Sequence, residues 1–256
     1  MIGGGNMGAA LVTGLVGAGA IDAASISIVE TVGARREQLV EMFPGLDVRA
    51  DIPDCAGAVL AVKPPDVPAV AAAAAAAGAR RVLSIAAGVT TATIVAAVGP
   101  DVAVIRSMPN TPALVGRGVA AVAAAPGADD AAIEWAERIL GAVGVTVRVG
   151  EQHFDAVTGL TGSGPAYVFL VAEALVDAGV LAGLPRALVD TMVAELLAGS
   201  AALLVERGDP AALRAMVTSP GGTTAAGLAV LERNAVRAAF IDAVRAATKR
   251  SRELGA

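Results

Sequence analysis

The residues Gly3-Gly4-Gly5-Asn6-Met7-Gly8 set glycines in the spacing G-x-G-x-x-G, ahead of an apolar helical pattern over residues 9–16. Glycines so spaced permit a tight turn, let backbone approach a pyrophosphate and let the next helix pack closely on a strand, with its N-terminus facing the phosphates. A dinucleotide site of this kind also needs an acid about twenty positions later, to accept from a ribose hydroxyl of NAD. Glu30 stands there, at the end of an apolar run. Arg35 and Arg36 follow within the next helical pattern, where a guanidinium holds the 2′-phosphate of NADP instead. Glu30 also reads as an ordinary strand-end charge and the arginine pair as a solvated helix face, so the residues leave NADPH or NADH open.

A second constellation lies far along the chain, Ser219-Pro220-Gly221-Gly222-Thr223-Thr224, opening a helical pattern over residues 223–232. A glycine pair in front of a helix offers free backbone N–H groups to an anion such as a carboxylate. Alternatively Ser219 or Thr223 caps the helix and the glycines only turn the chain. Between these constellations, Val62 ends a strand and Lys63 and Pro64 sit just past it, at the ligand-binding end of an open α/β sheet. Ala87 and Gly88 follow the next strand, small enough to admit a flat nicotinamide ring. Asn110, stiffened by Pro109 and Pro112, either bonds a carboxamide or holds its own turn. His153 is the single histidine and lies in a linker-like stretch, where we assign it no catalytic role. Tyr167 reads as a packing residue at a helix start, Trp135 as a helix-face residue, and Cys55 as a small apolar filler. One histidine and one cysteine leave no metal site and no disulfide framework.

These residues must be held by two kinds of element. Over residues 1–150, short β-branched runs at 25–30, 58–62, 81–85, 102–106, 118–123 and 145–149 alternate with alanine-rich helical stretches. Such alternation predicts βαβ units and a Rossmann-type, doubly wound, mainly parallel sheet. Over 151–256 the strand signal stops, and helices are predicted at 165–182, 185–206, 210–217, 223–232 and 235–254, several with proline in the first turn. The expected boundary is therefore near residue 150, between a dinucleotide-binding domain and an all-α substrate-binding and dimerisation domain. The alanine tract at 71–77 reads as plain helix.

Composition narrows the partners. The 256 residues are 55% hydrophobic and 2% aromatic, so packing must rest on close contacts of small side chains, often across a subunit interface. A net charge of −5 disfavours nucleic acid and anionic membrane, which call for basic patches. The apolar run from residue 166 to 184 carries Glu173 and Asp177, which argues against a membrane span, and a reducing cytoplasm fits the lone cysteine.

Five segments taken together identify a family. The GGGNMG loop, Ala61-Val62-Lys63-Pro64, Arg106-Ser107-Met108-Pro109-Asn110-Thr111-Pro112, Gly162-Ser163-Gly164-Pro165-Ala166-Tyr167 and Thr218-Ser219-Pro220-Gly221-Gly222-Thr223-Thr224 resemble pyrroline-5-carboxylate reductases in order and spacing. The resemblance implies hydride transfer from NADPH or NADH to the cyclic imine pyrroline-5-carboxylate, giving proline. It also implies that Val62 and Lys63 contact the nucleotide, that the substrate carboxylate lies on the 219–224 loop, and that the Thr224 hydroxyl bonds the ring nitrogen. It further implies that the helices of two chains interlock, the homodimer assembling into a larger ring such as a decamer. A β-hydroxyacid dehydrogenase would share the glycines at 159, 162 and 164 but needs a lysine where Val168 stands. A non-catalytic NAD(P)-sensing protein would be expected to lose the 219–224 loop.

One departure stands out. Only Met1 and Ile2 precede the glycine loop, where the first strand of such a domain runs about five or six residues. We expect either a trimmed first strand or a start that falls inside it, and favour the second.

Overall fold

The computed structural model describes residues 1–19 and 21–255; Ala20 and Ala256, which fall within the two expected domain ranges, lie outside the described residues. The helices α1 (Asn6–Gly17), α2 (Gly33–Met42), α3 (Val67–Ala76), α4 (Thr91–Val98) and α5 (Asp130–Gly141) alternate with strands β1 (Ser27–Val29), β2 (Asp47–Arg49), β3 (Gly57–Leu60), β4 (Arg81–Ser84), β5 (Ala103–Met108), β6 (Gly118–Ala124) and β7 (Gly144–Arg148). The strands lie in the order β1-β2 and β3-β4-β5-β6-β7, parallel except where β5 meets β6. Helical crossovers make parallel pairing possible, and they cover both faces of the sheet, so the strands read as unbroken apolar runs. On one face Leu11, Val12 and Leu15 of α1 pack with Leu39, Ile28, Leu83, Ile105 and Ile139. On the other, Val67, Ala71 and Ala74 of α3 and Ile94 of α4 pack on Leu60, Val82 and Val104. The alanine tract is thus an ordinary helix whose third- and fourth-spaced positions are buried.

The first strand is reduced to a single residue. Ile2 bridges Val29 on one side and Leu60 on the other, in parallel, and this one residue joins the two groups of strands. Its N–H donates to Val59 O at 2.8 Å and its C=O accepts from Ala61 N at 2.7 Å. The Met1 ammonium donates to Ser27 O at 2.7 Å. Burial lowers that amine from 8.0 to about 6. Beside it lies a cavity of about 660 Å³, walled by Ser25, Ile26 and Ser27 and by Ala56, Gly57 and Ala58. These are the residues that enter β1 and β3, the strands a longer first strand would pair with.

By contacts the chain divides into Met1–Ser163 with the end of the last helix from Ala246, and a second unit, Gly164–Arg245. The division falls later than the expected boundary near residue 150. The reason is that α6 (Phe154–Val157) and the π-turn Thr158–Gly162 belong to the sheet: Phe154 is buried against Ala121 and Ala123. The helices α7 (Gly164–Leu181), α8 (Arg186–Arg207), α9 (Pro210–Met216), α10 (Thr223–Arg233) and α11 (Val236–Gly255) follow, each within about two residues of its predicted bounds. In the second unit α7 and α8 pack through Val176, Val189 and Val193. Two helical stretches, Glu151–Leu181 and Arg186–Arg207, are long and apolar enough to cross a membrane by length and composition alone, with 6% and 11% of their most apolar windows buried.

Candidate active site

The glycine loop is built by exclusion of side chains. Gly3 has φ +101°, and a Cβ there would lie 2.5 Å from Ala61 O. A Cβ on Gly8 would run into Gly3 O, and one on Gly4 into Leu39 Cδ1. Gly5 differs: a Cβ there would meet nothing within 4 Å. Protein packing therefore does not account for Gly5, and open space lies before the first turn of α1. Asn6, Met7 and Gly8 precede the first intrahelical bond, Ala9 N to Gly5 O at 2.9 Å, so their N–H groups face that space uncapped. With no acid in the first turn, the site suits an anion. The residues present therefore fit a dinucleotide's pyrophosphate.

Glu30 and the arginines are tied into this loop. One Glu30 oxygen accepts from Gly4 N at 3.1 Å and the other from Val32 N at 2.9 Å. Arg35 Nε donates to Gly4 O at 2.8 Å. The two side chains thus grip both ends of the Gly4 residue, a bracing role absent from the sequence reading. Arg36 Nη1 donates to the carbonyls of Glu30 and Thr31, both at 2.8 Å, which turns the guanidinium toward the strand end.

The contact of Gly3 with Ala61 and Val62 brings the AVKP segment against the glycine loop. Lys63 is exposed and Pro64 opens a short 3-10 turn, Pro64–Asp66. Ala87 is exposed, and Gly88 turns the chain with φ +78°. The end of α11 lies on Gly88, whose absent Cβ would meet Gly255 Cα at 3.7 Å. Asn110 is buried, and its amide is engaged at both ends: Nδ2 donates to Thr161 O at 3.0 Å and Oδ1 accepts from Val119 N at 2.9 Å. Of its two expected roles, holding the turn is the one visible here.

A cluster the sequence reading missed sits behind these loops. Glu151 Oε1 accepts from Thr91 N at 2.7 Å and from Arg106 Nη1 at 2.9 Å, while Oε2 accepts from Thr91 Oγ1 at 2.6 Å. Burial pushes the Glu151 carboxyl up, but the bonds from Thr91 and Arg106 outweigh it and hold the group below the usual carboxylate range. Arg106 also lies 4.4 Å over the Phe154 ring.

The 219–224 loop belongs to the second unit. Gly222 is the N-cap residue of α10 and no side chain caps the helix, so neither Ser219 nor Thr223 plays the capping role. A Cβ on Gly222 would run into Ser219 Oγ, and Gly221 has φ +68°. The first N–H groups of α10 are therefore left open, as an anion site requires. Thr224 is half-buried, and among the described residues its hydroxyl has no hydrogen-bond partner.

Outside these loops, His153 is exposed, with Nε2 3.4 Å from the Gln152 amide. Trp135 is buried beneath Arg81, 4.8 Å from its ring centroid, a packing role as expected. Cys55 is only half-buried and lines the cavity beside Met1.

Comparison with known proteins accounts for both halves of the chain. A family described as NADP oxidoreductase, coenzyme F420-dependent, matches residues 1–88, and one described as pyrroline-5-carboxylate reductase dimerisation matches residues 151–254. A pyrroline-5-carboxylate reductase of Synechocystis is 45% identical, the alignment covering 100% of this chain and 97% of the relative. A solved pyrroline-5-carboxylate reductase from Coxiella burnetii superposes with a TM-score of 0.93 at 34% identity, over 100% of this chain and 97% of the other. A pyrroline carboxylate reductase from Plasmodium falciparum, solved with NADP bound, gives a TM-score of 0.83 at 28% identity over 100% and 97%. Likeness that runs from the glycine loop through the last helix, at this identity, means that the chain belongs to the pyrroline-5-carboxylate reductase family.

Proposed function

We propose that this chain reduces pyrroline-5-carboxylate to L-proline with NADPH or NADH, the last step of proline formation. The observation that carries the reading is the uncapped start of α10, with the Thr224 hydroxyl beside it unpartnered among the described residues, in a chain whose other half is a dinucleotide fold. When bound, the reduced nicotinamide supplies hydride to the imine carbon. The protein's own part is positioning. The N–H groups of Asn6, Met7 and Gly8 hold the pyrophosphate, with Val62, Lys63 and Pro64 beside it and Ala87 and Gly88 leaving room for the ring. Glu30 and Arg35 keep the loop in shape. Ser219, Gly221, Gly222 and Thr223 receive the substrate carboxylate at the start of α10. Protonation from solvent makes the imine carbon electrophilic, and the iminium N–H donates to Thr224 Oγ1, which fixes the face presented for reduction.

In this reading residues 1–150 bind the cofactor and residues 151–256 bind substrate and pair with a second copy. Phe169 and Leu170 of α7 and Met192 and Leu196 of α8 are exposed in the single chain. A second copy covers them, and the dimer assembles further into a ring such as a decamer. Coverage by protein, and not by lipid, is the assignment for the two long apolar helices, since Glu173, Asp177, Asp190 and Glu195 interrupt them. The compartment that fits an unpaired Cys55 is the cytoplasm. Steady-state kinetics with pyrroline-5-carboxylate, run with NADH and NADPH in parallel, test the reading. Substrate-dependent oxidation of at least one cofactor is expected, and none with either would overturn it.

A further inference from the structure

We propose that Glu151 is a positioning residue for cofactor binding, its carboxylate locking the loop after β4 to the end of β5. The inference rests on the reading of those two loops as the nicotinamide side of the cofactor site. Thr91 is the first residue of α4 and follows directly on Gly88, Val89 and Thr90. Arg106 lies in β5, two residues before Met108 and four before Asn110. Deeper in the sheet the two are already in register, since Ser84 of β4 pairs with Arg106 and Ile94 of α4 shares a core cluster with Val104 of β5. At the loop end Glu151 ties them together through polar groups, with three charge-assisted bonds of 2.6 to 2.9 Å.

Two further observations show that this carboxylate is hard to replace. Arg106 is 7% exposed, its Nε is buried without a partner, and among the described residues Glu151 is its only ion-pair partner. Removing the carboxylate leaves a buried cation uncompensated. The carboxylate also lies against the N-terminus of α4, where the helix dipole favours an anion. The same segment runs on into Phe154, which packs under Arg106, and to Thr161, which accepts from Asn110. Glu151 is thus the charged member of a set of contacts that hold both loops to the sheet-bound stretch ahead of α7.

Glu151→Gln offers one acceptor oxygen to three donors and turns an NH2 toward them. Thr91→Val keeps the shape and deletes only the Oγ1 bond, so it carries the test where Glu151→Gln fails to fold; Thr91→Ser restores the donor. Titration calorimetry with NADPH alone, below each variant's melting temperature, gives a readout independent of turnover. Glu151→Gln is expected to weaken NADPH about tenfold and Thr91→Val about threefold, with Thr91→Ser near wild type. In kinetics the change should appear in the cofactor KM while the KM for pyrroline-5-carboxylate stays within about twofold. A role confined to stability would lower the melting temperature and leave the dissociation constant unmoved. NADPH binding within about twofold of wild type in both Glu151→Gln and Thr91→Val would overturn the inference. Failure of the wild type to bind NADPH or NADH is a different outcome, which overturns the functional reading and this inference with it.

Discussion

Among the described residues, the Thr224 hydroxyl has no hydrogen-bond partner and no side chain caps the N–H groups beside it. Thr224→Val keeps the shape, so kcat should fall about tenfold or more while cofactor affinity holds. Turnover within about twofold of wild type, roughly half a kcal/mol, would remove Thr224 from the mechanism. At the other end of the chain Glu30 has two tasks to separate. Glu30→Ala would free the NADPH 2′-phosphate from a negative neighbour but also release Gly4 and Val32. Glu30→Gln keeps an acceptor and removes the charge, so kcat/KM should rise with NADPH, several-fold at most. A fall with NADH and no change with NADPH would show that Glu30 holds a ribose hydroxyl. At this scale the turn of the glycine loop was legible in the sequence, because it is set by the spacing of a few adjacent glycines. Glu151 was not, because its partners Thr91 and Arg106 are 60 and 45 positions away and only the folded sheet brings them together.

Among elements, the join between β1 and β3 runs through one bridging residue, Ile2. Ile2 bonds to Val59 and Ala61 on the β3 side, Met1 C=O and Gly3 N–H bond to Val29 on the β1 side, and the cavity beside Met1 is lined by the starts of both β1 and β3. By ladder alternation the next groups to pair would be Val59 N–H and Gly57 C=O, each costing about 1–3 kcal/mol if buried unpaired. Adding about four alternating β-branched residues before Met1 should raise the melting temperature and tighten cofactor binding, since the added strand supports Gly3. Equal stability and equal affinity would show that Ile2 suffices. The Met1 amine makes a second signature. Its pKa falls from 8.0 unfolded to about 6 folded, so between these values the unfolded chain binds more protons and stability rises with pH. That burial costs about 2–3 kcal/mol below the folded value and nothing above the unfolded one. The extension moves the amine away, so the difference in melting temperature between the two chains should be larger at pH 6 than at pH 8; a constant difference would contradict the assignment. Most elements were predictable from alternating β-branched and alanine-rich runs, with proline and glycine at their ends. β2 was missed because three residues, Asp47–Arg49, with one apolar side chain give no periodicity. The 154–162 turns were missed because what fixes them is the burial of Phe154 on the sheet, a contact far away in sequence.

For the whole molecule, the apolar content that first suggested close packing proves to be displayed, not buried, in the second unit. Phe169 is 64% exposed and Leu170 65%, and Met192 and Leu196 are each more than half exposed. Apolar area of this extent calls for a partner, and the 151–254 match to a dimerisation family supplies one of the same chain. Light scattering should therefore give a mass of at least two 25.0 kDa chains, and Phe169→Glu should shift it toward the single chain with loss of activity. A fully active species of one chain would contradict the assembly. With purified protein, pyrroline-5-carboxylate and NADPH or NADH, the proline formed should equal the cofactor oxidised, mole for mole. Cofactor consumed without proline, or no consumption at all by a chain shown to be folded, would contradict it.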